Sequence, residues 1–264
     1  MTKPIIVDSH CHLDFPDFEG EISELITNAE NAGVMRMVTI CTRLKNEPTV
    51  RAIAETYNSV YYAAGTHPMS ASEEPLATVD QLIKIAEHPK MVGIGETGLD
   101  YHYTAESASI QKKSLRIHVT AARETGLPLI IHSRAADGDM IEILQDEYKK
   151  GPYECVMHCF SSSLELAKVT LGLGFYLSMS GIVTFKKSQD LRDIFAIAPI
   201  EKILVETDSP YLSPVPHRGK RNESSYVVHV ARRVAEIKGL SIEEVASVTT
   251  GNAEKMFHLV SEIK

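Results

Sequence analysis

The residues able to do chemistry in this 264-residue chain stand at the ends of short apolar runs. His10 and His12 follow the run Ile5–Asp8. On extended backbone, residues two apart project to the same side, so these imidazoles can share a cation while Cys11 turns toward the wall. Glu96 ends the run Met91–Glu96, and its two oxygens can bridge two cations, which a neutral imidazole cannot do. Gly93, Gly95 and Gly98 surround it, and small residues permit close backbone approach. His132 and His158 end two further runs, and Asp208 lies within Glu206-Thr207-Asp208-Ser209-Pro210. Such a mixed set suits two cations ~3.5–4 Å apart sharing an activated water, whose proton a neighbouring carboxylate can take. One cation is assigned to His10, His12 and Asp208, a second to His132 and His158, with Glu96 bridging. Taken singly, each residue has a plainer role. An isolated His-x-His is often a polar loop, a lone histidine is often a satisfied one, and Asp208 could cap a turn before Pro210. Their shared placement favours ligation.

That placement depends on the elements between them. Eight strand-like runs occur: Ile5–Asp8, Arg36–Ile40, Val60–Gly65, Met91–Glu96, Leu129–His132, Glu154–His158, Phe175–Ser178 and Ile203–Thr207. Short, mostly apolar runs of this kind mark strands buried on both faces. Helical spacing separates them. Ile22, Leu25, Ile26 and Ala29 share a face before Gly33, and Met140, Ile143, Leu144 and Glu147 share one before Gly151-Pro152. Ser241 and Glu244 are spaced as a capping box. Eight βα units predict one α/β domain over residues 1–264, a (β/α)8 TIM-type barrel with its site at the C-terminal strand ends. A doubly wound open sheet is the alternative.

Composition narrows the function. Hydrophobic residues are 44% and charged residues 23%, values of a globular chain with a sizeable core rather than a disordered one. Lys plus Arg is 27 against 35 Asp plus Glu, a net charge of −8, which argues against a general nucleic-acid coat. Any phosphate substrate therefore needs cations or a local basic loop. The four cysteines (Cys11, Cys41, Cys155 and Cys159) read as free thiols. No apolar stretch reaches membrane-spanning length, and the N-terminal run is too short for a secretory segment, so a cytoplasmic protein with no membrane partner is expected.

The segments VDSHCHLDF (7–15), GTHP (65–68), GIGETGLDYH (93–102), LPLIIHSR (127–134), VMHCFSSS (156–163) and VETDSPYLSPVPHRGKRNE (205–223) together resemble the TatD family of metal-dependent hydrolases, within the amidohydrolase superfamily. The resemblance spans almost the whole chain. It implies a β/α barrel, a divalent-metal site, and hydrolysis of DNA or another phosphodiester. It also implies the ligand roles given above for His10, His12, Glu96, His132, His158 and Asp208, and places His67 beside the substrate phosphate, to orient it or assist the leaving group. Glu96 stands where other dinuclear members of the superfamily bridge their metals with a carbamylated lysine. Ser162, Ala135 and Ser224 depart from the usual family pattern and remove no ligand.

Substrate contacts are expected from residues near the ligands. His217, Arg218, Lys220 and Arg221 form a basic loop after Asp208, and Arg134 follows His132. Arginine suits phosphate through bidentate hydrogen bonds, and Arg134 and Arg218 are the expected contacts. Asp100 and Tyr101 follow Glu96, and Tyr101 could stack on a base. His88, His118, His229 and His258 read as structural or solvent-facing, and Lys186 and Lys187 as a solvated helix start. The mixed ligands suit Zn, Mn, Fe or Ni, and Mg less well. Two other readings compete with a metal-dependent deoxyribonuclease or phosphodiesterase. One is an ester or amide hydrolase of the same architecture, such as a D-aminoacyl-tRNA deacylase; the other is a non-catalytic metal-binding barrel. The sequence leaves the oligomeric state open, a monomer included.

Overall fold

The computed structural model describes residues 4–259. Eight parallel strands form one sheet in sequence order: β1 (Ile6–Cys11), β2 (Val34–Cys41), β3 (Val60–Ala64), β4 (Met91–Asp100), β5 (Leu129–Arg134), β6 (Cys155–Met157), β7 (Tyr176–Met179) and β8 (Ile203–Val205). Helices α1 (Ile22–Ala32), α2 (Glu47–Thr56), α3 (Val79–Ala86), α4 (Ala108–Thr125), α5 (Asp137–Lys149), α6 (Leu164–Gly172) and α7 (Gln189–Ile197) connect them. α8 (Val227–Lys238) and α9 (Ile242–Met256) follow β8.

Local sequence sets these boundaries as expected. Gly33 ends α1 in the left-handed region, α5 buries Met140, Ile143, Leu144 and Glu147, and Ser241 and Glu244 form the capping box of α9. Among the described residues, no helix is long and apolar enough to cross a membrane. The four cysteines are free.

The sheet curls until β8 meets β1. The His12 N–H donates to the Ser209 carbonyl (2.9 Å), and the Asp208 N–H donates to the His10 carbonyl (2.9 Å). The Asp8 carboxylate completes this seam by accepting the Thr207 N–H (2.8 Å) and hydroxyl (2.7 Å). Burial pushes its carboxyl up to about 7, against the lowering effect of these hydrogen bonds.

Of the register irregularities between strands, one on β1 and one on β4 fall at expected ligands. Asp8 pairs with Met37 and Cys11 with Thr39, so three steps on β1 match two on β2. The bulge resets the alternation, leaving Ser9 bonded across the barrel to Ser178 (3.2 Å) while Cys11 packs into the outer core. On β4, Ile94 pairs with Leu129 and Thr97 with Ile131. The strand then continues to Asp100, past the expected end at Glu96, because Gly98 pairs with His132 and Asp100 with Arg134. Glycine is required here. A Cβ on Gly98 (φ +146°) would lie 1.9 Å from the His132 carbonyl oxygen, and one on Gly95 (φ +134°) 2.5 Å from that of Ile130.

The core has two layers. The larger lies between strands and helices and includes Met37, Tyr62, Ile94, Leu115 and Leu129. The smaller fills the barrel interior with Val7, Val38, Ile40, Val92, Ile130, Val156 and Leu204, and is plugged by Ala253, Met256 and Phe257 at the end of α9.

Candidate metal centre

At the C-terminal strand ends the interior turns polar and opens into a cavity of about 910 Å³. His10 and His12 leave the β1 bulge with their Nε2 atoms 3.3 Å apart. Asp208, after β8, places Oδ1 3.3 Å from His12 Nε2 and 3.7 Å from His10 Nε2. Glu96 lies between two clusters. Its Oε2 is 3.4 Å from His10 Nε2, and its Oε1 is 2.7 Å from His158 Nε2 and 3.1 Å from His132 Nδ1. All six residues assigned to cations from sequence thus converge. His67 joins them, with Nε2 3.3 Å from Glu96 Oε1.

The partners of the remaining ring nitrogens decide which atoms carry protons. His12 Nδ1 faces the Ile40 carbonyl (3.2 Å), which only accepts, so Nδ1 holds the proton and Nε2 a lone pair. His158 Nδ1 faces Glu206 Oε1 (3.3 Å), which also accepts the Cys159 N–H (2.7 Å), so His158 likewise presents a lone pair at Nε2. His132 is reversed: Nε2 donates to Asp100 Oδ2 (3.1 Å), leaving Nδ1 bare. Three lone pairs therefore point at carboxylate oxygens with no proton between them. Such an arrangement requires cationic charge, either extra protons or metal ions. The buried atoms His10 Nδ1 and Glu206 Oε2 have no hydrogen-bond partner. His67 differs from these three. Its Nδ1 accepts the Met69 N–H (3.2 Å), so Nε2 carries the proton and acts as a donor.

Electrostatics follow the same lines. Burial opposes charge on every group here. For Glu96 the facing imidazoles of His158 and His67 outweigh burial and hold the carboxyl well below its usual range. For His158 burial is outweighed by Glu96 and Glu206, which raise the imidazole well above its ordinary value, and His132 is raised against burial by Asp100 and Glu96. Burial dominates at His67 and lowers it. The backbone is also unusual. Of the five described non-glycine residues with positive φ, Ala135, Cys159, Asp208 and Leu212 line this cavity.

The expected substrate contacts are rearranged. Asp100 is 0% exposed, and its carboxylate also accepts the N–H groups of His102 (3.0 Å) and Tyr103 (2.8 Å). It lines the cavity and holds His132 through Nε2. Tyr101 packs on the outer core with its hydroxyl on Asp139 (2.6 Å), and Tyr103 lines the cavity in its place. Nothing in the Tyr101-His102-Tyr103 spacing distinguishes the two. Arg218 lies over the Phe185 ring (3.7 Å) instead of the cavity, and Arg221 pairs with Glu21 (2.5 Å). The basic loop is therefore partly spent on protein contacts. Arg134 does reach the cavity, and so does Arg43 after β2, which no motif or strand-end position marks. Buried Glu206, facing His158 Nδ1, is a further member of the cluster. It lies two residues before Asp208, and strand periodicity would have placed both toward the barrel interior. His118 is the buried histidine of α4, accepting the Thr66 N–H (3.1 Å).

Comparison with known proteins agrees with this architecture. The family model described as TatD related DNase matches residues 7–258. The Uncharacterized metal-dependent hydrolase YcfH of Escherichia coli K12 is 40% identical over 257 residues, covering 96% of each chain. The 3'-5' ssDNA/RNA exonuclease TatD of Escherichia fergusonii is 29% identical, covering 95% of this chain and 98% of its own. The crystal structure of YJJV, a TatD homologue from Escherichia coli K12, superposes with a TM-score of 0.91 at 28% identity, covering 98% of this chain and all of that one. A barrel with a histidine–carboxylate mouth, matched in sequence and structure from end to end, places this chain in the TatD family of metal-dependent hydrolases.

Proposed function

We propose that this protein hydrolyses phosphodiester bonds of nucleic acid with two divalent cations held by His10, His12, Asp208, His132 and His158, and bridged by Glu96. The supporting observation is the set of bare imidazole nitrogens directed at carboxylate oxygens. Charge balance favours two ions. Glu96, Asp100 and Asp208 line the pocket and buried Glu206 backs His158, so four carboxylates surround the histidines, and two divalent cations would compensate them. Imidazole in every ligand group favours Zn, Mn, Fe or Ni over Mg. Bound there, the cations would lower the pKa of water and offset charge on the phosphate oxygens.

The chain's own groups supply the rest. Asp208 faces the cavity and accepts the proton of the attacking water. His67 offers the proton on Nε2 to a phosphate oxygen or to the leaving oxygen, and its Nδ1 contact with Met69 keeps that proton in place. Arg134 brings a guanidinium to the cavity edge, with no carboxylate paired to it among the described residues. Asp100 and Glu206 hold His132 and His158 in the orientation that bares their inner nitrogens. The exonuclease name of the Escherichia fergusonii relative supports a nucleic-acid substrate.

The test is metal analysis combined with assays on a single-stranded oligonucleotide and a D-aminoacyl-tRNA. Oligonucleotide cleavage, lost on chelation and restored by added cation, is the expected result. Asp208→Asn lowers kcat about 10²–10⁴-fold. Ester cleavage alone, or full activity in Asp208→Asn, would overturn the reading.

A further inference from the structure

We infer that Tyr103 and Tyr211 are two base-stacking platforms on opposite sides of the cavity, and that they restrict the substrate to unpaired strands. This rests on the phosphodiesterase reading and goes beyond it by naming what selects the strand. Large exposed apolar side chains are few among the described residues, and Met69, Tyr103 and Tyr211 all line this one cavity. The two tyrosines are 56% and 55% exposed. An exposed aromatic ring on a loose loop would mean little, but both backbones are fixed. The Tyr103 N–H is held by the buried Asp100 carboxylate (2.8 Å), and the same loop is tied by Gln111, which accepts the Asp100 N–H (2.8 Å) and donates to the Thr104 carbonyl (2.8 Å). The Tyr211 N–H is held by the Asp208 carbonyl (2.9 Å), and its own carbonyl accepts from buried Asn222 (2.6 Å). Each ring is thus built on a residue of the polar cluster itself and presented to solvent from a hydrogen-bonded backbone.

Topology sets the two apart. Tyr103 follows β4 and stands beside Arg134 of β5, whose guanidinium lies 4.7 Å from the ring centroid. Tyr211 follows β8 and meets Phe15, beyond β1, edge-on at 6.0 Å. In a ring of eight strands taken in order, the β4–β5 junction is diametrically opposite the β8–β1 junction. Phe15 in turn stacks on His12 at 4.5 Å, and Asp100 bonds His132, so both platforms adjoin the ligand cluster from opposite sides. A strand laid across the mouth brings a phosphate over the cluster and a base to each ring. Stacking on tyrosine needs the free face of a base and tolerates any base, whereas paired bases in a duplex are already stacked on one another.

The experiment uses the metal-loaded protein and two fluorescent single strands with hydrolysis-resistant phosphorothioate linkages, one bearing bases and one abasic throughout. Anisotropy gives the ratio of their dissociation constants. The wild type binds the base-bearing strand more tightly. Tyr103→Ala and Tyr211→Ala each narrow that ratio about 5- to 100-fold, or remove it where it is smaller, and Tyr→Phe at either position preserves it. A wild-type ratio of one, or a ratio unchanged in the double alanine variant, overturns the platforms. Turnover of the base-bearing strand with ordinary phosphodiester linkages is scored separately. Its failure in the wild type counts against the phosphodiesterase reading, while the binding ratio still decides on the tyrosines.

Discussion

The two ends of the barrel are built on the same strands and have opposite chemistry. Ile130 and His132, Val156 and His158, and Leu204 and Glu206 are pairs two residues apart, each apolar below and ionisable above. Below, the apolar members close on Ala253, Met256 and Phe257 of α9. Above, imidazoles and carboxylates meet at distances of 2.7–3.7 Å. One step of strand period separates a floor held by dispersion and water exclusion from a mouth held by charge. The floor also serves the mouth. A packed apolar layer beneath the ligands keeps the local dielectric low and every electrostatic contact strong. What matters in the floor is volume, and what matters in the mouth is the identity and orientation of each atom.

The largest effect is expected from breaking the floor. Phe257→Ala removes a ring that is 1% exposed and leaves a void at the centre of the plug. It should cost about 3–5 kcal/mol of stability, and about 2–4 °C of Tm per kcal/mol in a chain of this size. Metal content and kcat of the folded fraction should stay at wild-type values. Calorimetry with metal analysis on the same sample checks this. Lost metal with unchanged Tm would show that the two ends are not separable.

The floor was more legible in the sequence than the mouth, for a physical reason. Apolar runs and helical spacing repeat, so the eight strands, the Gly33 stop and the Ser241 cap could be read from pattern alone. His10, His12, Glu96, His132, His158 and Asp208 could be placed together because each ends or follows such a run. The sequence did not disclose the bulges of β1 and β4, which depend on how neighbouring strands pair. Nor did it separate Tyr101 from Tyr103, or show that Arg218 would be spent on Phe185. Those choices are made by side-chain contacts between distant segments, and no local period encodes them.

His118 sharpens the comparison, because it is a buried histidine outside the ligand cluster. Its Nδ1–H donates to the Ser114 carbonyl (2.8 Å) and its Nε2 accepts the Thr66 N–H (3.1 Å), with no carboxylate at hand. Burial therefore pushes it down to about 4, against the raising effect of the Ser114 hydrogen bond, whereas carboxylates raise His158, which is also buried. A pKa lower in the folded than in the unfolded protein means stability that is present above about 6.5 and lost as the pH falls toward 4. The loss attributable to His118 should be roughly 3 kcal/mol across that window. Guanidinium unfolding of metal-free wild type and His118→Gln at several pH values isolates it. Equal slopes in the two proteins would show that His118 is not the titrating group.

The smallest effect expected is at the mouth, where Glu206 touches no open space. Glu206→Gln keeps the side-chain length, so one oxygen can still receive the Cys159 N–H and face His158 Nδ1. What it removes is the negative charge behind the imidazole, which makes Nε2 a better donor of its lone pair. Metal affinity should fall about 10–100-fold, measured by competition with a chromophoric chelator, with Tm of the metal-free protein close to wild type. Glu206→Ala leaves His158 Nδ1 and the Cys159 amide without their acceptor and should weaken binding further. An affinity unchanged in both variants would mean that the ring is held by packing alone. Its stacking on His10, with centroids 3.9 Å apart, would then be the contact that orients it.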